Sequence, residues 1–187
     1  MTDAEVDVVD YYVRAVASFG QQLTRVGEIH WDMPTPCADW DAKALVAHVV
    51  IGEAAIPPLI RGESVAFDDV NPGVLGPDAM ATWRGTALAA IEIVRETPLD
   101  TVLEHPAGAR TLEMVLGFRI TDNLVHAWDL ATAMAEPLDL DPEIAQWCLD
   151  FWLPLADRLK DPFFSPMLEP TDDTPGARLL ALLGRST

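Results

Sequence analysis

Apolar residues recur at three- and four-residue steps along most of this chain, and the rhythm breaks at proline and glycine. In "DAEVDVVDYYVRAVASFGQQLTRVGEI", Val6, Val9, Val13, Val16 and Leu23 fall near one helical face, behind an acidic first turn that the helix dipole favours. "HWDMPTPCADW" ends that helix, because Pro34 and Pro36 cannot continue it. Asp39 or Asp41 then caps a second helix over "DAKALVAHVVIGEAAIPPLIRG", disrupted near Pro57–Pro58 and finished by Gly62. The stretch from Glu63 to Asp78 reads as a surface loop, long enough to lie over a site as a lid. Asp78 caps a third helix that stops before Pro98. "TVLEHPAGARTLEM" is β-like, a small hairpin or an extended crossing. The helical pattern returns from about Leu112 to Ala135. A last clear helix, "DPEIAQWCLDFWLPLADRLK", starts with Pro142 in its first turn. The proline-broken tail with "ARLLALLG" is expected to form a strap.

These elements predict a mainly α protein built as a four-helix bundle with a short β-like crossing and a C-terminal strap. With 187 residues, half of them hydrophobic, a single domain over 1–187 is expected. Its core bundle would span about 3–160 and its C-terminal extension about 161–187. Thirty acidic against 12 basic residues leave a formal net charge of −18. Such a surface repels phosphate backbones and anionic lipid, so neither nucleic acid nor a membrane is expected as a partner. No run approaches about 18 uninterrupted apolar residues, and a soluble, cytoplasmic protein, monomer or homodimer, is the expectation. Cys37 and Cys148 lie far apart without a CxxC partner, which excludes a thiolate-rich zinc site by count. Each is expected to be a structural thiol.

Of the four histidines, His48 and His126 lie inside helices, whereas His30 and His105 lie in turns and are expected at the surface. At about 100° per residue, Asp122 and His126 stand only about 40° apart on their helix and can converge on one point. Two readings stay open on spacing alone: a hydrogen-bonded polar pair, or two ligands of a metal. A metal needs a third protein ligand, and His48 is the helix-borne candidate. Such an N,N,O site leaves room for water or substrate and suits Zn²⁺ first, with Ni²⁺, Fe²⁺ or Mn²⁺ as alternatives.

"PTPCADWDAKALVAHVV" resembles the pattern TPC-x-x-W-x-x-x-x-L-x-x-H of a DinB/YfiT-like family, the actinobacterial proteins with a mycothiol-dependent maleylpyruvate isomerase N-terminal-type domain. "DNLVHAWDLATAM" resembles that family's second motif, an acidic residue ahead of H-x-W-D-L-A, and "RLLALLGR" resembles the ending of a small single-domain branch. The resemblance implies a bundle holding one divalent metal through His48, Asp122 and His126, with mycothiol as cosubstrate. The isomerases carry glutamate at the position of Asp122, one methylene longer, which separates this chain from their reaction.

Other residues carry two readings. Arg119 either anchors a substrate carboxylate through its fork of donors or partners Asp122 or Asp129. Asp129 either accepts a hydrogen bond from a ligand imidazole or forms a salt bridge or backbone contact. Trp40 and Trp128 are expected to fix helix packing. Glu53, about 140° from His48 around its helix, is expected to be solvated. The implied function is metal-assisted chemistry joining a low-molecular-weight thiol to an electrophile, by S-transfer or thiol-assisted isomerisation, with metal-activated water as a variant. The alternatives are a ligand-binding or stress-response bundle whose metal is structural or a sensor, with Asp129 or His30 as fourth ligand, and a bundle without a metal.

Overall fold

Each α-helix among the described residues begins with a side chain that takes up N–H groups its first turn leaves free. Asp7 accepts from Val9 and Asp10 ahead of α1 (Val8–Leu23), and Asp41 from Ala44 ahead of α2 (Ala42–Ile60). Asp78 caps α3 (Ala79–Glu96) and Thr111 caps α4 (Leu112–Ala133). Asp141 and Thr174 do the same for α5 (Pro142–Trp152) and α6 (Pro175–Leu182). Replacing such a cap by alanine costs about 1 kcal/mol, so together these residues fix where the helices start. The structure is a computed structural model and describes residues 7–65, 70–106, 108–155 and 166–186.

The described residues form two compact units, 1–134 and 135–187. In the first, α1 packs on α4 and α3, while α2 packs on α3 and α4, which makes the four-helix bundle. Between α3 and α4 a two-stranded antiparallel ladder pairs β1 (Val102–Leu103) with β2 (Arg110–Thr111), in the register Val102 opposite Thr111. Of the two expected forms, a small hairpin or an extended crossing, this is the hairpin. In the second unit α5 packs against α6. The expected run of the last long helix to Lys160 ends at Trp152, and residues 156–165 lie outside the described ones.

Three local expectations change. The buried side of α1 includes Val8, Tyr12, Ala15, Val16, Phe19 and Leu23, with Tyr12 and Phe19 wholly enclosed, while Val9 and Val13 are only half-buried. The two aromatic rings, each burying more surface than a valine, set which face turns inward; Val6 lies outside the described residues. Pro57 and Pro58 do not interrupt α2, because they fall in its last turn. There the chain closes with Arg61 N–H to the Pro57 carbonyl and Glu63 N–H to the Pro58 carbonyl, and Gly62 turns out at φ 75°. Part of the expected lid is anchored: a 3₁₀ turn at Pro72–Leu75 buries Leu75 and packs on α2, while residues 66–69 lie outside the described ones. By length and composition α2 would also suffice to cross a membrane, yet it is a packed member of the bundle.

Candidate metal centre

Helices α2 and α4 bring the two sequence motifs together. His48, half-buried on α2, and Asp122 and His126, one turn apart on α4, meet at a single carboxylate oxygen. Asp122 Oδ1 lies 3.1 Å from His48 Nε2 and 3.2 Å from His126 Nε2. The ring planes of the two histidines stand edge to face, with centroids 5.1 Å apart. Trp40, from the loop before α2, lies against both, its centroid 4.6 Å from His48 and 5.9 Å from His126. The sequence reading expected Trp40 to fix helix packing; the structure sets its ring against these two imidazoles.

The hydrogen count at His126 decides what this convergence is suited to. Its Nδ1 stands 2.9 Å from Oδ2 of the fully buried Asp129. With that carboxylate accepting, Nδ1 carries the hydrogen, and a neutral ring then presents a lone pair at Nε2. That lone pair faces Asp122 Oδ1, itself only an acceptor. Two acceptors at 3.2 Å require either a proton or a cation between them. Donors bound at about 2.0–2.2 Å to one tetrahedral zinc stand roughly 3.3 Å from each other, so the observed separations fit a shared cation. Among the described residues, the ligand atoms of His48, Asp122 and His126 all lie within 4.8 Å of one another and form a three-member group able to hold a metal ion.

Without a cation, charge fills the gap. Burial alone would raise the Asp122 pKa, but His48, Arg119 and His126 more than offset it and hold the carboxyl well below its usual range. Burial alone would lower the pKa of His126, yet Asp122, and the hydrogen bonds to Asp122, Asp129 and Cys37, lift it well above the usual imidazole value. Asp122 and Asp129, on either side of the His126 ring, thus favour its charged form.

Arg119 takes the partnering role. Its Nη1 donates to Asp122 Oδ2 at 2.6 Å, its Nη2 to Glu53 Oε1 at 2.8 Å and to the Val49 carbonyl at 3.2 Å, and its Nε to Glu53 Oε1 at 3.2 Å. Burial works against its charge, but Glu53 and Asp122 hold its pKa above the ordinary arginine range. Asp129 is placed as the acceptor behind His126. Trp128 is half-buried on α4. His30 lies in a 3₁₀ turn at Glu28–His30, where its Nδ1 accepts the Gly27 N–H at 3.0 Å.

Glu53 corrects the sequence reading: it is completely buried. Besides Arg119 it accepts from Asn123 Nδ2 at 2.7 Å on Oε1 and from the Tyr12 hydroxyl on Oε2. The signal was present, since valine, alanine and isoleucine surround Glu53 on every side of its helix and leave no wet face to turn to. Cys37 was also underplaced. Its Sγ donates to Asp129 Oδ2 at 3.4 Å and lies 3.9 Å from His126 Nδ1, so Cys37, His126 and Asp129 form a second donor group. The turn that swings Cys37 there is pinned by a bridge between Pro34 and Asp41. Both cysteines are free thiols, and Cys148 is buried as expected.

Residues 13–131 match the family model described as the mycothiol maleylpyruvate isomerase N-terminal domain. Two uncharacterised proteins, from two strains of Mycobacterium tuberculosis, are 31% identical over 142 residues, covering 75% of this chain and 74% of theirs. The crystal structure of the mycothiol-dependent maleylpyruvate isomerase superposes with a TM-score of 0.58 at 20% identity, over 66% of this chain and 59% of that one. A histidine-to-alanine variant of that enzyme gives 0.61 at 17% identity, over 76% and 66%. This chain thus spans about six-tenths of the solved isomerases' length, with the DinB-like helical fold in common. The family match covers both motifs and the helices that carry them, and the chain belongs to the mycothiol maleylpyruvate isomerase N-terminal domain family.

Proposed function

We propose that this protein holds one divalent cation, zinc before nickel, iron(II) or manganese, through His48 Nε2, Asp122 Oδ1 and His126 Nε2. We further propose that it uses the site for chemistry of a low-molecular-weight thiol of the mycothiol class. The observation that carries the reading is the pair of facing acceptors: His126 Nε2 against Asp122 Oδ1, with Nδ1 committed to Asp129. A bound cation in such a site acidifies a coordinated thiol or water. The chain's own residues prepare that step. Asp129 keeps the His126 hydrogen on Nδ1 and so keeps the lone pair of Nε2 free to ligate. Trp40 fixes the plane of His48 by ring contact.

The thiol comes from the family, whose model and solved members are named for mycothiol. The electrophile is left to a general class, and the reaction is S-transfer or thiol-assisted isomerisation. A closed structural site needs a fourth protein ligand. Among the described residues the group has three members, and that favours an open site over a purely structural metal. The test is elemental analysis of protein purified without a metal-affinity tag, beside His48→Ala and His126→Ala. Near-stoichiometric divalent metal that both variants lose is the expected result. A folded wild type that carries none and resists reconstitution would overturn the proposal. If metal is present, titrating a low-molecular-weight thiol into the Co²⁺ form should shift its visible spectrum; no shift at high thiol would make the metal structural.

A further inference from the structure

Asp122 has two oxygens, and the protein treats them differently. Oδ1 faces the two imidazole nitrogens, whereas Oδ2 receives Arg119 Nη1 at 2.6 Å. A hydrogen bond that short, between an ionised donor and an ionised acceptor, belongs to the strong class and fixes the plane of the carboxylate. The guanidinium cannot easily retreat from it. Its other face is tied to Glu53 by two hydrogen bonds and to the Val49 carbonyl by a third. Glu53 is itself locked by Asn123 and Tyr12. The guanidinium lies on the backbone of Gly52, where an added Cβ would stand 2.1 Å from Nη1. A side chain at that position would push the guanidinium from where it now meets Asp122.

We infer that Arg119, set by Glu53 and Gly52, is a positioning residue that keeps Asp122 a single-oxygen ligand and thereby keeps a coordination position free for the thiol. The inference rests on the metal reading above. Carboxylates bind metals through one oxygen or two, and the groups behind a ligand decide which. An aspartate released from Arg119 is free to turn Oδ2 toward the same point as Oδ1 and fill the position a thiol would take.

The test uses the whole chain loaded with Co²⁺, whose visible absorption is intense in four-coordinate sites and weak in six-coordinate ones. Arg119→Gln is compared with wild type, and Arg119→Met combined with Glu53→Gln removes both buried charges together, in case the single variant does not fold. In the folded variants the absorption should weaken and the shift on adding a low-molecular-weight thiol should be lost, with Co²⁺ still bound. Wild-type absorption and a wild-type thiol shift in a folded variant would overturn the inference while leaving the metal site standing. A wild type that takes up no Co²⁺ would overturn the metal reading and this inference with it.

Discussion

Glu53 and Asp122 grip opposite ends of one guanidinium, yet their surroundings ask different things of them. Glu53 is wholly buried, and tyrosine, asparagine and arginine supply donors to both its oxygens. Asp122 keeps 23% of its side chain exposed, has one unambiguous donor, and turns its second oxygen to two imidazole nitrogens whose hydrogens the structure must still provide. A carboxylate whose partners are complete inside the protein is part of the framework. One whose partners are complete only with an added proton or cation is built to take something up. Glu53 sits on α2 and Asp122 on α4, joined through Arg119, so the contrast is local and can be attacked with single substitutions.

The largest effect should come from Glu53→Leu. It strands a buried guanidinium, and breaking such a pair costs about 3–5 kcal/mol. Urea unfolding of the apoprotein should show that loss. Asp122→Asn leaves the Arg119–Glu53 pair intact and weakens the contacts from Arg119 and the two imidazoles, by about 1.5–3 kcal/mol, while metal uptake disappears. If Asp122→Asn proved the more damaging to stability, the division into framework and site would be wrong. Gly52→Ala should come next. Overpacking against the guanidinium costs about 1–3 kcal/mol, and the displaced Arg119 should also change the Co²⁺ spectrum, a readout that a purely structural glycine would leave alone.

The contrast extends to pH. His126 has a folded pKa raised above its unfolded value, so its imidazolium stabilises the apoprotein fully below about pH 6.5, and that contribution fades as pH rises through the folded pKa. Asp122 works the other way: its depressed pKa gives stability that is present above about pH 3.9 and lost as pH falls through the folded value. Urea midpoints of the chelated protein should therefore decline going up from about pH 6.5, with a slope of at most about 1.4 kcal/mol per pH unit for the one proton. With metal bound, His126 cannot take the proton, and the slope should reverse, stability falling as pH drops below about 6.5. Equal slopes with and without metal would mean that His126 is not a ligand.

The helices were legible because their boundaries are written in local chemistry. Asp41, Asp78 and Pro142 announce their own positions, and the structure keeps each of them. Within the site, spacing exposed Asp122 and His126 because both sit on one helix, and the two motifs supplied His48 from another. Glu53 escaped for a geometric reason. It was measured against the His48 face, and a residue turned away from that face was taken to meet water. In this bundle it meets α4 instead, because α2 is buried on more than one side. Cys37 escaped because its place depends on a turn closed by a bridge at Pro34, and pairing across such a turn has no periodicity to read.

Tyr12 offers the most selective change. Its hydroxyl donates to Glu53 Oε2, while Arg119 and Asn123 share Oε1. Tyr12→Phe therefore removes one donor and leaves the atoms that hold Arg119 untouched. Burial and the Glu53 carboxylate together lift the Tyr12 pKa well above its usual value, so the group remains a neutral donor through the working range. Losing one buried hydrogen bond of this kind, to a charged acceptor, costs about 1.5–3 kcal/mol at most. Among the described residues Tyr12 is the donor to Oε2, so the variant leaves that oxygen to water. The Co²⁺ spectrum and its thiol shift should stay as in wild type. A spectrum that changes in Tyr12→Phe would show that Glu53 transmits strain through both oxygens, and that framework and site are one mechanical unit instead of two.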